Sequence, residues 1–139
     1  MRLTVPAPLG KTPTKQMPSI QVFGTEESQS TRGAIRFFRE RRIVVSFVDI
    51  RKRPMAPAEL RRFVERLGAR TLLDESSRAY RDAGLAHLRM DDREVAERLQ
   101  ADQRLLRLPL VRFGDDVTAG RAEPAWTAWL KPPAGAVRR

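Results

Sequence analysis

The sequence predicts an α/β fold in which helices flank a mixed four-stranded sheet, with an all-helical insertion between the second and third strands. Three patterns lead to this prediction. Near the start, an amphipathic run separates two apolar runs, which is typical of a β-α-β unit. The middle of the chain has only helical periodicity, and the last third has a hairpin pattern followed by a helix. Because a helix joins the first two strands, we expect them to be parallel, with a right-handed crossover.

The opening unit is predicted from successive runs of residues. Residues 20–23 form an apolar strand, residues 32–42 an amphipathic helix, and residues 43–50 a second strand rich in β-branched side chains. After a turn with two prolines, an amphipathic helix is predicted over residues 58–67, and Gly68 stops it.

The predicted insertion continues with further helices. We expect short helical segments over residues 72–73 and 80–85, with Gly84 as a break, and a longer helix that opens at the acid-rich residues 91–94. The inward-facing residues of that longer helix are Val95, Leu99 and Leu105.

A hairpin and a helix complete the unit. Residues 108–113 and 117–119 flank Gly114-Asp115-Asp116, which is the signature of a β-hairpin. A closing helix over residues 123–130 carries two tryptophans and ends before Pro132-Pro133.

Length and local composition indicate one domain with two flanking segments. A chain of 139 residues fits a single hydrophobic core. Residues 1–18 contain four of the ten prolines and have no hydrophobic period, so we expect a flexible, Pro-rich leader. Residues 19–131 form the predicted domain, and residues 132–139 form a short basic tail.

The composition excludes several chemistries. There is no cysteine, so the chain forms no disulfide, no thiolate metal site and no internal redox couple. One histidine, His87, gives no basis for a zinc site or a histidine-based triad. No apolar run reaches the roughly 20 residues of a membrane span, and no signal-peptide pattern opens the chain. We therefore expect a cytoplasmic protein without a metal and without membrane association.

The net charge of +10 raises the question of a polyanionic partner. Basic surfaces bind phosphate backbones by counterion release, so nucleic acid is one candidate partner, although only the charge supports it. The densest basic clusters lie at residues 36–42 and 51–53. These clusters are either solvated faces or binding sites for an acidic partner.

The most informative segment is the loop over residues 23–32, between the first strand and the first helix. Such a junction concentrates unpaired main-chain N–H groups and the positive end of a helix dipole, which attract anions and lower the pKa of a thiol. A serine hydroxyl without a nearby base stays protonated and is a poor nucleophile, so we predict no catalytic residue here. Ser28 or Ser30 is the candidate N-cap. The candidate anion-binding residues of the loop are Ser28, Gln29, Ser30, Thr31 and Arg32.

Several short motifs occur in an order and spacing typical of a known family. They are the Phe-Gly-Thr loop with Arg32, Leu72-Leu73 followed by Tyr80 and Gly84-Leu85, Arg107-Leu108-Pro109-Leu110-Val111, and Gly120-Arg121. On these motifs the segment 19–130 resembles the arsenate reductase ArsC/Spx/YffB family. The resemblance implies a thioredoxin-like fold that holds an all-helical insertion between its second and third strands.

The resemblance also shows what this chain lacks. The family's nucleophilic cysteine falls at Ser28, and the second cysteine of Spx-like proteins falls at Thr31. The three arginines expected to hold arsenate fall at Asp74, Leu108 and Arg121, so only Arg121 is retained.

Two further residues enter the predicted site. Arg107, one position before Leu108, is a candidate replacement for the lost arginine, although a shift of one residue along a strand reverses the side chain's face. Thioredoxin folds place a cis-proline beside the active-site loop, and the resemblance assigns that role to Pro109. A trans proline that opens a strand is the alternative.

Two functions follow from the resemblance. In the first, the chain is a noncatalytic, Spx-like binding or regulatory module without a cofactor, whose basic helices engage a protein such as the C-terminal domain of the RNA polymerase α-subunit. In the second, it is a degenerate reductase that retains an anion or glutathione site at the helix terminus, where glutathione supplies the only sulfur.

Overall fold

The first elements form the predicted β-α-β unit. The computed structural model describes residues 19–130, so the predicted leader and basic tail lie outside the described residues. The unit consists of strand β1 (Ile20–Gly24), helix α1 (Gln29–Glu40) and strand β2 (Val45–Asp49). β1 and β2 pair in parallel, from Ile20 opposite Val45 to Gly24 opposite Asp49. The predicted parallel pairing is confirmed.

Helical elements fill the chain between β2 and the next strand. They are α2 (Pro57–Leu67), α3 (Ala69–Leu72), α4 (Arg78–Asp82) and α5 (Asp92–Ala101), with 3-10 turns at Leu85–His87 and Gln103–Leu105. An isolated antiparallel bridge pairs Leu73 with Leu106. This bridge connects the helical segment, residues 57–105, to the residues just before the third strand.

The sheet is completed by a hairpin and covered by a last helix. β3 (Leu110–Phe113) pairs antiparallel with both β1 and β4 (Asp116–Ala119), and α6 (Glu123–Leu130) follows. The strand order is β2-β1-β3-β4, so the sheet is mixed and has four strands, as predicted.

Each face of the sheet supports its own hydrophobic core, because alternate strand residues point to opposite faces. Ile20 and Val22 of β1 and Val111 of β3 pack on one face with α1 and α6. Phe23 and Leu110 pack on the other face with the helical segment. β1 is therefore packed on both faces, and the loop between β1 and α1 begins at the end of this buried strand.

Local capping and turn geometry move several predicted boundaries. α1 begins at Gln29, three residues earlier than predicted, because Ser28 caps it. It ends at Glu40, and Arg42 has a positive φ of 62° that reverses the chain. β2 therefore begins at Val45 and not at residue 43.

Further boundaries differ in the second half: α4 covers Arg78–Asp82 and not residues 80–85, and β3 begins at Leu110 and not at residue 108. α5 ends at Ala101, so Leu105 is buried as expected but lies in the following 3-10 turn and not on the helix. Phe113 pairs with Asp116, so the hairpin turn has two residues and not three. Gly114 opens that turn with a φ of 64°, which glycine adopts without strain.

Helix lengths also bear on membrane association. Among residues 19–130, no helix is both long enough and apolar enough to cross a membrane.

Candidate functional site at the loop before α1

Ser28 begins α1 as its N-cap. Its backbone is extended, and its Oγ accepts a hydrogen bond from the Thr31 N–H at 3.1 Å. The Ser28 N–H in turn donates to the Thr25 carbonyl at 3.2 Å. Of the two predicted cap candidates, Ser28 and not Ser30 caps the helix. Its hydroxyl therefore has a structural partner at the position where the resemblance places the family's nucleophile.

Thr31, at the second cysteine position of the resemblance, packs into the interior. Its side chain is fully buried, and its Oγ1 has no hydrogen-bond partner within residues 19–130. A Cβ added to Gly24 would overlap with Thr31 Oγ1, so Gly24 leaves the space that Thr31 fills. Position 31 is therefore a packing position between α1 and β1.

The other loop residues lie at the surface. Arg32 is exposed, and its Nη1 donates to the Glu26 carbonyl at 2.7 Å, which ties the helix back to the loop. Gln29 is exposed and Ser30 is half-buried in the first turn of α1. That turn contains no acidic residue, so no side chain within it neutralises the positive end of the helix dipole.

A cleft of about 800 Å³ opens beside the loop. Thr25 and Glu27 line it from the loop, and Leu108 lines it from the chain just before β3. The remaining wall comes from the chain after β2 (Ile50, Arg51, Pro54) and from the end of α5 and its 3-10 turn (Gln100, Ala101, Asp102, Gln103, Arg104). The candidate loop therefore borders a space large enough for a small ligand.

The charged residues of the cleft balance one another. Glu27 pairs with Arg51 at 2.6 Å, and Asp102 pairs with Arg104 at 2.8 Å. The hydrogen bond from Arg104 lowers the pKa of Asp102, so this carboxylate stays ionised at neutral pH. The hydrogen bond to Glu27 raises the pKa of Arg51 in the same way. Among residues 19–130, the cleft thus contains two acidic and two basic side chains. An oxyanion site requires an excess of positive charge, which these residues do not provide.

A glutamine clamp fixes the far wall of the cleft, and no local sequence signal points to it. Gln100 and Gln103 both donate to the Met55 carbonyl, at 3.1 and 3.0 Å, and Gln103 Oε1 accepts from the Met55 N–H at 2.8 Å. Met55 lies nearly fifty residues away in the sequence, so only the three-dimensional structure joins these groups.

The Leu108–Pro109 peptide is cis, the isomer that the resemblance implied. Pro109 is buried, and its carbonyl accepts a hydrogen bond from the Gly120 N–H at 2.9 Å. Leu108 therefore presents an apolar side chain to the cleft at a position where the resemblance expects an arsenate-binding arginine.

The predicted arginines outside the loop are engaged by other groups. Arg107 donates through Nε to the Thr71 carbonyl and through Nη2 to the Leu73 carbonyl, both at 3.1 Å. Arg121 pairs with Glu123 at 3.3 Å. Neither arginine lines the cleft. Thr25, Glu27 and Leu108 thus lie together in the cleft, whereas the Arg107 side chain binds the helical segment.

The other lost arginine position is also occupied by local contacts. Asp74 Oδ1 accepts hydrogen bonds from the Ser76 N–H at 3.0 Å and from Ser76 Oγ at 2.6 Å. Its carboxylate thus organises the turn before α4 and does not line the cleft.

Sheet order and helical layers define a thioredoxin-like fold. Residues 23–129 match the ArsC family, so the chain belongs to this family. No curated protein matches the sequence.

Solved structures agree on the fold. The YffB protein superposes with a TM-score of 0.72 at 21% identity, over 81% of this chain and 100% of its own. An ArsC family related protein from Bacteroides fragilis has a TM-score of 0.72 at 18% identity, over 79% of this chain and 96% of its own. An arsenate reductase from Vibrio cholerae has a TM-score of 0.71 at 15% identity, over 83% and 100%. At these identities the likeness is one of fold.

Proposed function

We propose that this protein is a noncatalytic member of the ArsC family that binds a protein partner in the cytoplasm. One observation carries the proposal: the chain has no cysteine, and the Oγ of Ser28, at the position that the resemblance gives to the nucleophile, caps α1. A serine in this role, without a base beside it, does not attack an electrophile.

The chemistry of arsenate reduction supports this proposal. Reduction of arsenate to arsenite takes two electrons, which thiols supply by forming an arsenic–sulfur bond and then a disulfide. This chain offers no sulfur nucleophile, and the cleft beside the loop offers balanced charges and Leu108. The enzyme would thus lack both the electron donor and the cationic cradle.

A turnover assay tests the noncatalytic function. The wild-type protein is incubated with arsenate and glutathione, and separately with a mixed disulfide and glutathione, and product is compared with reactions that contain glutathione alone. We expect equal rates with and without protein. Protein-dependent, multiple-turnover formation of arsenite or thiol would contradict the proposal.

The resemblance to Spx suggests a specific partner, the C-terminal domain of the RNA polymerase α-subunit. Because the chain has no thiol to oxidise, we expect this binding to be the same in reducing buffer and after treatment with a thiol oxidant. Calorimetric titration with the purified domain, whose own thiols are blocked, measures both conditions. Absence of binding would exclude this domain as the partner. Binding that changes with the oxidant would contradict the expectation that binding is independent of redox conditions.

A second candidate function is supported by the cleft. The cleft lies next to the N-terminus of α1, and its volume suits a small peptide with charged ends, such as glutathione. The side chains of its two ion pairs can pair with the charged ends of such a ligand in place of each other. A retained site predicts that glutathione or phosphate raises the melting temperature, and that Arg51→Ala or Arg104→Ala, each of which removes a basic side chain of the cleft, abolishes the increase. Arg98→Ala, an exposed change on α5, is the control. No increase with either ligand would exclude this candidate.

A further inference from the structure

The positive charge of the described residues is concentrated in one segment. Residues 29–53, which cover α1, β2 and the loop after β2, contain eight basic and two acidic residues. Residues 54–130 contain thirteen of each. The excess charge of the described residues therefore lies in one segment of the chain and is not evenly distributed along it.

Within this segment, three arginines form a stripe along α1. Arg32, Arg36 and Arg39 follow one another at spacings of four and three residues, which places them on one helix face, and all three are exposed. They line a shallow groove of about 500 Å³ together with Ile35 and Glu40. We call this surface the α1 groove.

The arginines of the α1 groove have few internal partners. Within residues 19–130, Arg36 and Arg39 form no ion pair, although Glu40 is one turn beyond Arg36. Arg32 uses one guanidinium nitrogen on the Glu26 carbonyl, which leaves its other donors available. The groove thus presents donors that suit carboxylates or phosphates.

The apolar part of the α1 groove favours a protein over a nucleic acid as the acidic partner. Ile35 is half-buried between the arginines and contributes apolar surface to the groove. No aromatic residue lines it, whereas surfaces that bind single-stranded nucleic acid use aromatic rings to stack bases. Arginines around an apolar centre are typical of protein interfaces. The charge also opposes pairing of this face with a second copy of itself.

We propose that the α1 groove docks an acidic, amphipathic segment of a partner protein. Apolar side chains of that segment cover Ile35, and its carboxylates pair with Arg32, Arg36 and Arg39. The inference rests on the proposed function, since it assigns a surface to the protein-binding activity.

Direct binding with defined probes tests this surface. The first probe is a labelled 16-residue peptide with leucines at helical spacing and glutamates elsewhere. The second has the same composition in an order without an apolar stripe, and the third is a 16-base-pair DNA duplex. Fluorescence anisotropy is measured near physiological salt for the wild-type chain, for Arg36→Glu/Arg39→Glu, and for Arg62→Glu/Arg66→Glu. The last pair makes the same charge change on exposed positions of α2.

We expect saturable binding of the first peptide that weakens more than tenfold in Arg36→Glu/Arg39→Glu and less than twofold in the α2 control. Circular dichroism and melting temperature verify that both variants fold. Four results would overturn the proposal: no saturable binding, equal binding of the peptide without the stripe, equal weakening by both variants, or tighter binding of the duplex through the same arginines. Turnover by the wild-type protein would instead contradict the proposed function. The binding measurements are independent of the turnover assay, so the two failures can be told apart.

Discussion

At the scale of single residues, Ser28 stabilises the start of α1 through its hydrogen bond to the Thr31 N–H. Ser28→Ala is expected to lower the free energy of unfolding by about 1 kcal/mol, because the first turn loses its cap. Urea denaturation measures the change. Ser30→Ala is the matched control, since Ser30 lies inside the helix and caps nothing. Equal losses in the two variants would show that Ser28 is not the structural cap.

Gly24 and Thr31 form a second residue-scale pair. Gly24→Ala is expected to destabilise the fold by about 1–3 kcal/mol, because the added methyl group overlaps with the Thr31 side chain. Thr31→Ala in the same chain should recover part of this loss, so a double-mutant cycle should give a nonzero coupling energy. Gly33→Ala is the control, because its Cβ meets open space in a helix. It should stabilise the fold or leave it unchanged.

The Asp102–Arg104 ion pair predicts a pH dependence. The pKa of Asp102 is lowered in the folded protein, chiefly by the hydrogen bond from Arg104. Its stabilisation is therefore fully present above the unfolded-state pKa of about 3.9 and is lost as the pH falls through the lower folded-state value. The difference in melting temperature between wild type and Asp102→Asn should be constant from pH 7 to 5 and shrink below pH 4. A difference that persists unchanged in more acidic buffer would contradict this.

At the scale of elements, Arg107 joins the helical segment to the chain that carries the cis-proline just before β3. Arg107→Ala should lower the free energy of unfolding by about 1–2 kcal/mol, since two main-chain carbonyls lose a charged donor at a partly hydrated site. Hydrogen exchange should accelerate around α3. Arg121→Ala, which removes only a surface ion pair, should cost less than about 1 kcal/mol. No difference between the two variants would mean that Arg107 does not connect these elements.

Elements defined by local signals could be predicted from the sequence, and those that depend on distant contacts could not. The acid-rich start of α5 and the glycine of the hairpin turn specify their own conformations, so both were predicted. The glutamine clamp on Met55 and the bonds of Arg107 join residues 34 to 48 positions apart. No spacing rule in one sequence encodes such pairs. Thr25 and Glu27 of the predicted loop line the cleft, whereas residues 28–32 do not, and the glutamines of its far wall were not predicted.

At the scale of the whole molecule, the chain has the fold of the ArsC family and no cysteine. The sheet and the cis peptide are those that the resemblance implies, and Ser28 caps α1. The thiol is absent, Leu108 faces the cleft, and Arg107 holds the helical segment. The excess positive charge lies on α1, in the turn after it and in the loop after β2, whereas the charged residues of the cleft are two acids and two bases. This distribution supports the proposed noncatalytic, protein-binding function.

Arsenate reduction by the Ser28→Cys variant tests the central claim most directly, with glutathione as the reductant. The introduced thiol lies at the N-terminus of α1, so its pKa should fall below the ordinary value of about 8.5. We nevertheless expect no arsenite above the glutathione control, because Leu108 and Asp74 supply no cationic cradle. Multiple-turnover arsenite production by this single variant would contradict the noncatalytic function, since it would show that only the cysteine separates the chain from an enzyme.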